Sequence, residues 1–475
     1  MNRRRFLTAA GTTLAATSLT GTAAHAAPRP APPVPGERSA AELREWFAAT
    51  YRSVMAMTGD FGLAADKIDV SATGTPTPSV QTSPTNIGCG LWSTAAAGGL
   101  GVIPAATMRE RLARTVSAVE RLERAHGWWF NWYDAHDGSV LTTWPESGDP
   151  VRPFLSTVDN AWLVTGLRIA AHASPELRPR VAALLADAHW SYYYTPYDPN
   201  DPVAGPGQLR GGFWPDKPGK GEPTGHHYGA LNTEPRMASY LGIADGSLPG
   251  EHYWHLFRTL LPGMGQEQTP EGAYRTIDGV NVWEGHYTYR GRKLVPTWGG
   301  SMFEALMVPL FVPEPEWSPH SWGLNHRRYV RSQIEDGLVQ EKYGYWGFSP
   351  AGVPEGGYDV YGVDEIGMQE DGYFPRAVVT PHASFLALPQ APVEALANLR
   401  SLDQDFGAYD DRYGFRDSVN VETGRVSDFV LALDQGMIAA ALAQHLHPGL
   451  LQGPFRTGGF QSKVRPLLEK ERFSI

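Results

Sequence analysis

The chain has 475 residues, with 40 basic against 50 acidic side chains, a net formal charge of −10 and a single cysteine. An acid-rich chain is a poor partner for a phosphate backbone or an anionic membrane surface, so nucleic-acid binding and membrane association are disfavoured. Cys89 alone can form no intrachain disulfide, and stability must come from a buried core.

Residues 1–26 have the three parts of an export signal: Arg3-Arg4-Arg5, a small apolar run to Ala23, and Ala24-His25-Ala26. The Arg-Arg-x-Phe-Leu order over Arg3 to Leu7 is the twin-arginine form, an address for already folded proteins. The run falls short of the roughly 20 residues a bilayer needs, so a secreted, extracellular protein is expected. Without the three leader arginines the net charge is −13. Residues 27–38 read as a Pro-rich lead-in. No compositional break follows, so 39–475 is expected to be a single domain and the protein a monomer.

Ser39-Ala-Ala-Glu42 has the form of a capping box, predicting a helix over 39–58. Apolar spacing of three and four predicts further helices at 85–98, 105–126, 157–173, 175–193, 233–243, 250–261, 300–311, 321–340, 380–388, 392–404 and 434–445. Residues 276–296 alternate as short β-hairpins do. Two of the connections, 197–229 and 343–375, are far longer than helical hairpins need and are expected to be functional. This pattern predicts an all-α protein: a ring of paired helices, with long loops and minor hairpins on one face.

The chain is rich in aromatics, 15 Trp, 20 Tyr and 18 Phe, many beside Gly, Pro, Asp or His instead of in periodic stripes. Clusters such as Trp128-Trp129-Phe130-Asn131-Trp132 suit the flat apolar faces of sugar rings. Sugar hydrolysis needs two carboxyl groups, one to protonate the leaving oxygen and one to attack or to activate water. Asp159 and Glu234 stand at predicted helix starts, where capping or dipole stabilisation competes with a catalytic role. Glu304 is the lone charge of an apolar helix, either a hydrogen-bond hub or a site residue. Glu355 and Asp359 lie on a Gly-rich loop after Trp346, the place for a mobile lid carrying an acid. His226-His227 lacks a third ligand at useful spacing, and no phosphate loop, dinucleotide fingerprint or Gly-x-Ser-x-Gly occurs. No metal and no cofactor are expected.

Nine segments occur in the order of a known family: Thr82-Ser-Pro-Thr-Asn-Ile-Gly, Phe130-Asn-Trp-Tyr-Asp, Ser156-Thr-Val-Asp-Asn, Thr233-Glu-Pro-Arg-Met-Ala-Ser-Tyr-Leu-Gly-Ile, Trp298-Gly-Gly-Ser-Met-Phe-Glu, Trp346-Gly-Phe-Ser, Pro392-Val-Glu-Ala-Leu-Ala-Asn-Leu, Tyr413-Gly-Phe-Arg-Asp and Leu433-Asp-Gln-Gly. In these the chain resembles the glucoamylase-like (α/α)6-barrel group, which contains bacterial β-1,2-glucanases and the barrel attached to cyclic β-1,2-glucan synthases. The resemblance implies an (α/α)6 toroid and a secreted glycoside hydrolase on a β-linked glucan, β-1,2-glucan first. It places Asp159 and Glu234 at the catalytic centre, Glu234 as nucleophile or base, with Glu304 and Asp434 around the pocket. The family often has an acid soon after Trp-Gly-x-Ser/Thr; here the chain reads Ser349-Pro-Ala-Gly-Val-Pro-Glu355, and Glu355 stands in as general acid, with Asp359 behind it. The expected substrate-binding surface is Trp132, Asp134, Trp162, Trp214, His227, Tyr228, Arg236, Trp298, Glu304, Trp346, Tyr358, Asp359 and Asp434. Alternative readings are a transglycosylase on β-1,2-glucan and a non-catalytic glycan-binding protein.

Overall fold

Helices buried on every face alternate along the chain with helices buried on one face only. The computed structural model describes residues 36–71, 76–370 and 372–475; the export signal and most of the Pro-rich lead-in lie outside the described residues. Helix α1 (Gly36–Ala56) is followed by α2 (Pro84–Gly99), α3 (Ala105–Arg121), α4 (Thr157–Ala173), α5 (Arg178–Leu185) and α6 (Arg236–Asp245). Then come α7 (Met302–Leu306), a short α8 (Glu314–Trp317), α9 (Trp322–Glu335), α10 (Pro381–Ala387), α11 (Pro392–Phe406), α12 (Ala432–Leu446) and α13 (Arg465–Lys470). In α3 the buried residues Met108, Leu112, Val116 and Val119 form one stripe, the mark of a helix packed on one side. In α2, α4, α6 and α12 burial is nearly continuous, as required of staves enclosed by other helices.

Among the described residues, six helices make an inner ring. Helix α2 packs on α4, α4 on α6, α7 on α10, α10 on α12, and α12 back on α2. The remaining junction is made by Arg236 of α6, which donates from Nη1 to the Glu304 carbonyl at 3.0 Å and from Nη2 to that of Ala305 at 2.7 Å. Helices α3, α5, α9 and α11, with a 3-10 helix Gly250–His255, stand between successive inner staves in the chain, and α1 precedes the first of them and packs on α12. Each outer element returns the chain, so the inner N-termini gather at one mouth. This is the predicted (α/α)6 toroid.

The tightest junction is α2 against α4. A Cβ on Gly88 would lie 2.4 Å from the Trp162 carbonyl oxygen, and one on Gly166 would lie 2.7 Å from the Gly88 Cα. Only paired glycines let the two backbones approach so closely. On the other flank of α2, Trp92 Nε1 donates to the Gly436 carbonyl of α12 at 2.9 Å, and the core runs continuously from Leu43 to Phe473.

The structure departs from the sequence expectations at element ends. Helix α1 starts at Gly36, so Ser39 lies inside the helix instead of at its N-cap; Glu42 pairs with Arg400 of α11. Helix α3 stops at Arg121, not 126, because His126 (φ 53°) and Gly127 (φ 83°) turn the chain into a hairpin pairing Arg124 with Trp129. The expected helix 175–193 is three pieces, and the one at 250–261 is a 3-10 helix of Gly250–His255. The alternating stretch 276–296 lies in a three-stranded antiparallel sheet, Glu271–Ile277, Val280–Tyr289 and Arg292–Leu294. No described helix is long and apolar enough to cross a membrane.

Candidate active site

The mouth carries one polar residue set per inner stave: Thr85 and Asn86 on α2, Asp159 on α4, Glu234 just before α6, Glu304 on α7, His382 on α10 and Asp434 on α12. In ring order Glu234 stands opposite Asp434, and Asp159 opposite His382. The amides of helix first turns point into this mouth, so partial positive charge faces the carboxylates.

Asp159 is buried and fully supplied with donors. Its Oδ1 accepts from Thr85 Oγ1 at 2.6 Å and its Oδ2 from Ser156 Oγ at 2.5 Å. Asn131, its amide turned to satisfy both neighbours, donates to Asp159 Oδ2 at 2.9 Å and accepts from Trp132 Nε1 at 3.1 Å. The carboxylate is therefore held rigidly and connected to a half-buried aromatic at the rim. Beside it, Asn86 Nδ2 donates to Asp66 Oδ1 at 2.9 Å.

Across the ring lies a buried acid pair. Asp434, 1% exposed, has both carboxylate oxygens without a hydrogen bond, with His382 Nδ1 at 3.2 Å from Oδ2. Asp417, also 1% exposed, accepts from the Leu431 amide at 2.9 Å. Burial, and then the charge of Asp434, push the Asp417 carboxyl well above the usual range, which favours its protonated form. Burial, Asp434, Asp159 and Asp66 likewise raise the Cys89 thiol, leaving it an inert packing group.

Glu234 is half-buried in the tight turn that precedes α6. That turn is pinned by Thr233 Oγ1 to the Ala230 carbonyl at 2.7 Å and by Asn232 Nδ2 to that of Val295 at 2.9 Å.

Glu304 resolves as a hub. It closes a capping box with Ser301, accepting from the Ser301 amide at 3.1 Å, Ser301 Oγ at 2.7 Å and the Gly299 amide at 3.1 Å. Burial pushes its carboxyl up, and these donors oppose the shift. The loop it clamps carries Trp298, 38% exposed at the mouth. Gly300 in that loop has φ 79°, and a Cβ there would lie 1.9 Å from the Val363 carbonyl oxygen, so no other residue fits.

Other residues expected at the site take different places. Trp162, Trp346 and Trp214 are core residues: Trp162 packs on Trp92 and Phe311, Trp346 is bonded through its backbone to Asn398, and Trp214 stacks on Phe154. Arg236 is spent on Glu314 and the α6–α7 junction, fully buried. Asp134 accepts from the backbone and ring of His136 within its own turn. His227 bonds Thr195 Oγ1 at 3.0 Å, and burial together with the nearby Arg210 and His226 lowers it to about 4, so its ring is neutral. Tyr228 and Tyr358 are half-buried. Asp359 pairs with Arg376, and Glu355 is exposed at the tip of the hairpin formed by Ala351–Gly352 and Tyr358–Asp359. Sequence reasoning passed over Asp417 and His382; only Asp417 lay in a quoted segment, Tyr413-Gly-Phe-Arg-Asp. Among the described residues no cluster of three His, Cys, Asp or Glu is placed to hold a metal.

The ring of paired helices with its acids at one mouth is the architecture of glucoamylase-like (α/α)6-barrel enzymes, and comparison with known proteins bears out the resemblance. Residues 267–458 match the model of the family described as "Putative glucoamylase". A 265-residue stretch is 28% identical to cyclic β-(1,2)-glucan synthase NdvB of Rhizobium meliloti (strain 1021), covering 51% of this chain but 8% of that protein. The chain thus spans a small part of the curated relative that it matches. Among solved structures, an endo-β-1,2-glucanase from Chitinophaga pinensis, in complex with sophorotriose and glucose, is similar with a TM-score of 0.67 and 17% identity over 90% of this chain and 98% of that one. A β-1,2-glucanase from Parabacteroides distasonis gives 0.68 and 16%, over 92% and 60% of the two chains. An endo-β-1,2-glucanase from Talaromyces funiculosus, in complex with sophorose, gives 0.64 and 13% over 91% and 90%.

Proposed function

We propose that the protein is a glycoside hydrolase that cleaves a β-linked glucan, β-1,2-glucan first, exported by the twin-arginine route that Arg3-Arg4-Arg5 and the following apolar run suggest. The observation that carries the hydrolase reading is the placement of Glu234 across the mouth from an acid pair, Asp417 and Asp434, in which burial and the charge of Asp434 favour the protonated form of Asp417. A glycosidic bond lying between them meets an accessible carboxylate on one side and a proton source on the other, the two groups that hydrolysis requires. Glu234 acts as base or nucleophile. The acid pair supplies the proton to the leaving oxygen, in place of Glu355, which sits at an exposed hairpin tip. Asp159, held by Thr85, Ser156 and Asn131, is placed to stabilise positive charge developing on the sugar. Trp132 and Trp298 offer ring faces at two edges of the mouth. The β-1,2 preference is supported by the similarity to several proteins named for that linkage.

The match to a stretch of a cyclic glucan synthase favours a second reading, transfer of sugar to sugar at the same site. Incubation with β-1,2-, β-1,3-, β-1,4- and α-linked glucans, with products sized over time, separates the readings: new reducing ends mark hydrolysis, and longer or cyclised chains mark transfer. Full activity in Glu234→Gln would overturn the catalytic assignment. Calorimetric binding of glucan with no product from any linkage would make the protein a glycan-binding module.

A further inference from the structure

We infer that His382 is a positioning residue that holds the Asp434 carboxyl group correctly turned for the reaction, an inference that rests on the hydrolase reading above. Asp434 is a carboxylate removed from water with no hydrogen-bond donor on either oxygen. Such a group costs several kcal/mol unless a charge or a bound ligand compensates it. The basic side chain that reaches it is His382, with Nδ1 at 3.2 Å from Oδ2, inside ion-pair range. His382 is itself fully buried, and neither of its ring nitrogens has a hydrogen-bond partner.

The location argues against a merely local role. His382 is the second residue of α10, where the helix dipole disfavours a cation, and ordinary histidines avoid burial with both nitrogens unmatched. A residue that breaks two local rules is retained for what it faces. What it faces is acidic. Asp434 lies on α12; Asp417, between the short strands Gly414–Phe415 and Val419–Asn420, is close enough to Asp434 to feel its charge; Asp66 and Asp159 contribute charge from the α2 and α4 sides; Cys89 on α2 is a further titratable group near Asp434, and Arg416 lies near Asp417. His382 is the basic neighbour of Asp434 on one side, and Asp417, whose protonated form burial and the charge of Asp434 favour, lies on the other. Nε2 of His382 has no hydrogen-bond partner and is suited to a sugar hydroxyl or a water at the base of the mouth.

The test compares wild type, His382→Gln and His382→Ala on β-1,2-glucan from pH 4 to 9, with thermal unfolding recorded alongside. His382→Gln keeps a polar side chain beside Asp434 but removes the imidazole. The expected result is a fall in kcat of about tenfold or more with KM little changed. His382→Ala should fall further. Unchanged profiles in folded variants would overturn the inference.

If both variants fail to fold, ring-15N histidine spectra of the wild type decide. A His382 ring signal that changes in Asp434→Asn is expected from their contact; a signal identical in wild type and variant would sink the idea. Wild-type inactivity on every glucan would refute the hydrolase reading and leave the spectroscopic result standing.

Discussion

Arg236 grips Glu314 with two hydrogen bonds, Nε to Oε1 at 2.8 Å and Nη2 to Oε2 at 3.0 Å, and neither side chain reaches solvent. Tyr240 donates to the same carboxylate at 2.8 Å, and His326 Nε2 lies 3.0 Å from Oε2. Arg236 also forms the α6–α7 junction, two residues beyond Glu234. Arg236→Ala would leave Glu314 charged and unpaired in the interior, an effect of about 3–5 kcal/mol. Chemical denaturation should show that loss, with activity falling in parallel because the turn carrying Glu234 loses its anchor.

The same pair predicts acid sensitivity. Burial alone would raise the Glu314 carboxyl, but Arg236 and His326 bring it down to about 2, below its unfolded value. A depressed acid stabilises the fold above its unfolded pKa, and this contribution disappears as pH falls toward the folded one. Stability should therefore drop between about pH 4.5 and pH 2, by on the order of 3 kcal/mol from this group. Unfolding of wild type and Glu314→Gln across that window checks it: the variant starts less stable and shows a shallower decline.

Asp336 predicts the opposite slope. Buried at the end of α9 and accepting from Tyr289 Oη at 2.7 Å, it is pushed up to about 7, chiefly by burial. The folded state then binds a proton that the unfolded state has released, so stability decreases from about pH 4 to pH 7. Asp336→Asn keeps an acceptor for Tyr289 and removes the charge. It should raise Tm at pH 8 by several degrees, a gain on the order of 2 kcal/mol, and give no advantage below pH 4.

The α2–α4 crossing predicts intolerance of a single methyl. Gly88→Ala or Gly166→Ala would force apart backbones already in contact, costing about 1–3 kcal/mol. Because Thr85 and Asp159 meet across this crossing, the alanine variants should also lose activity, separable from instability by assay well below Tm.

Trp298 is exposed on a loop held rigid by Glu304. Trp298→Ala should raise KM for glucan severalfold, about 1 kcal/mol of lost ring contact, with little change in kcat or Tm. An unchanged KM would remove Trp298 from the binding surface.

The inner staves were legible because burial on every face leaves long apolar runs, so α2, α4 and α12 stood close to where spacing put them. Their ends were less legible: α3 stops early because of a two-residue turn, and α7 is cut short where Pro309 lacks an amide. At the site, Asp159 and Glu234 were marked by their place at helix starts. Glu304 was recognisable as an isolated charge, but whether it served structure or chemistry depended on Ser301 and Gly299 folding back onto it. Arg236 looked like a ligand of sugar because its partner, Glu314, lies 78 residues away. Asp417 and His382 carried no local signal, since their burial is created by the hairpin at Ala351–Gly352 and by the meeting of α10 with α12, which are properties of the closed ring.

The bond from Trp92 to Gly436 joins residues 344 positions apart, the first inner stave to the last. Until the final stave emerges from the ribosome, α2 and α10 each present an apolar side with nothing to cover it. Such long-range closure is slow and leaves intermediates prone to aggregation. The nascent chain therefore has reason to depend on shelter during synthesis, and the proposed twin-arginine export, a route for already folded proteins, would suit a molecule whose two ends must find each other before either is protected.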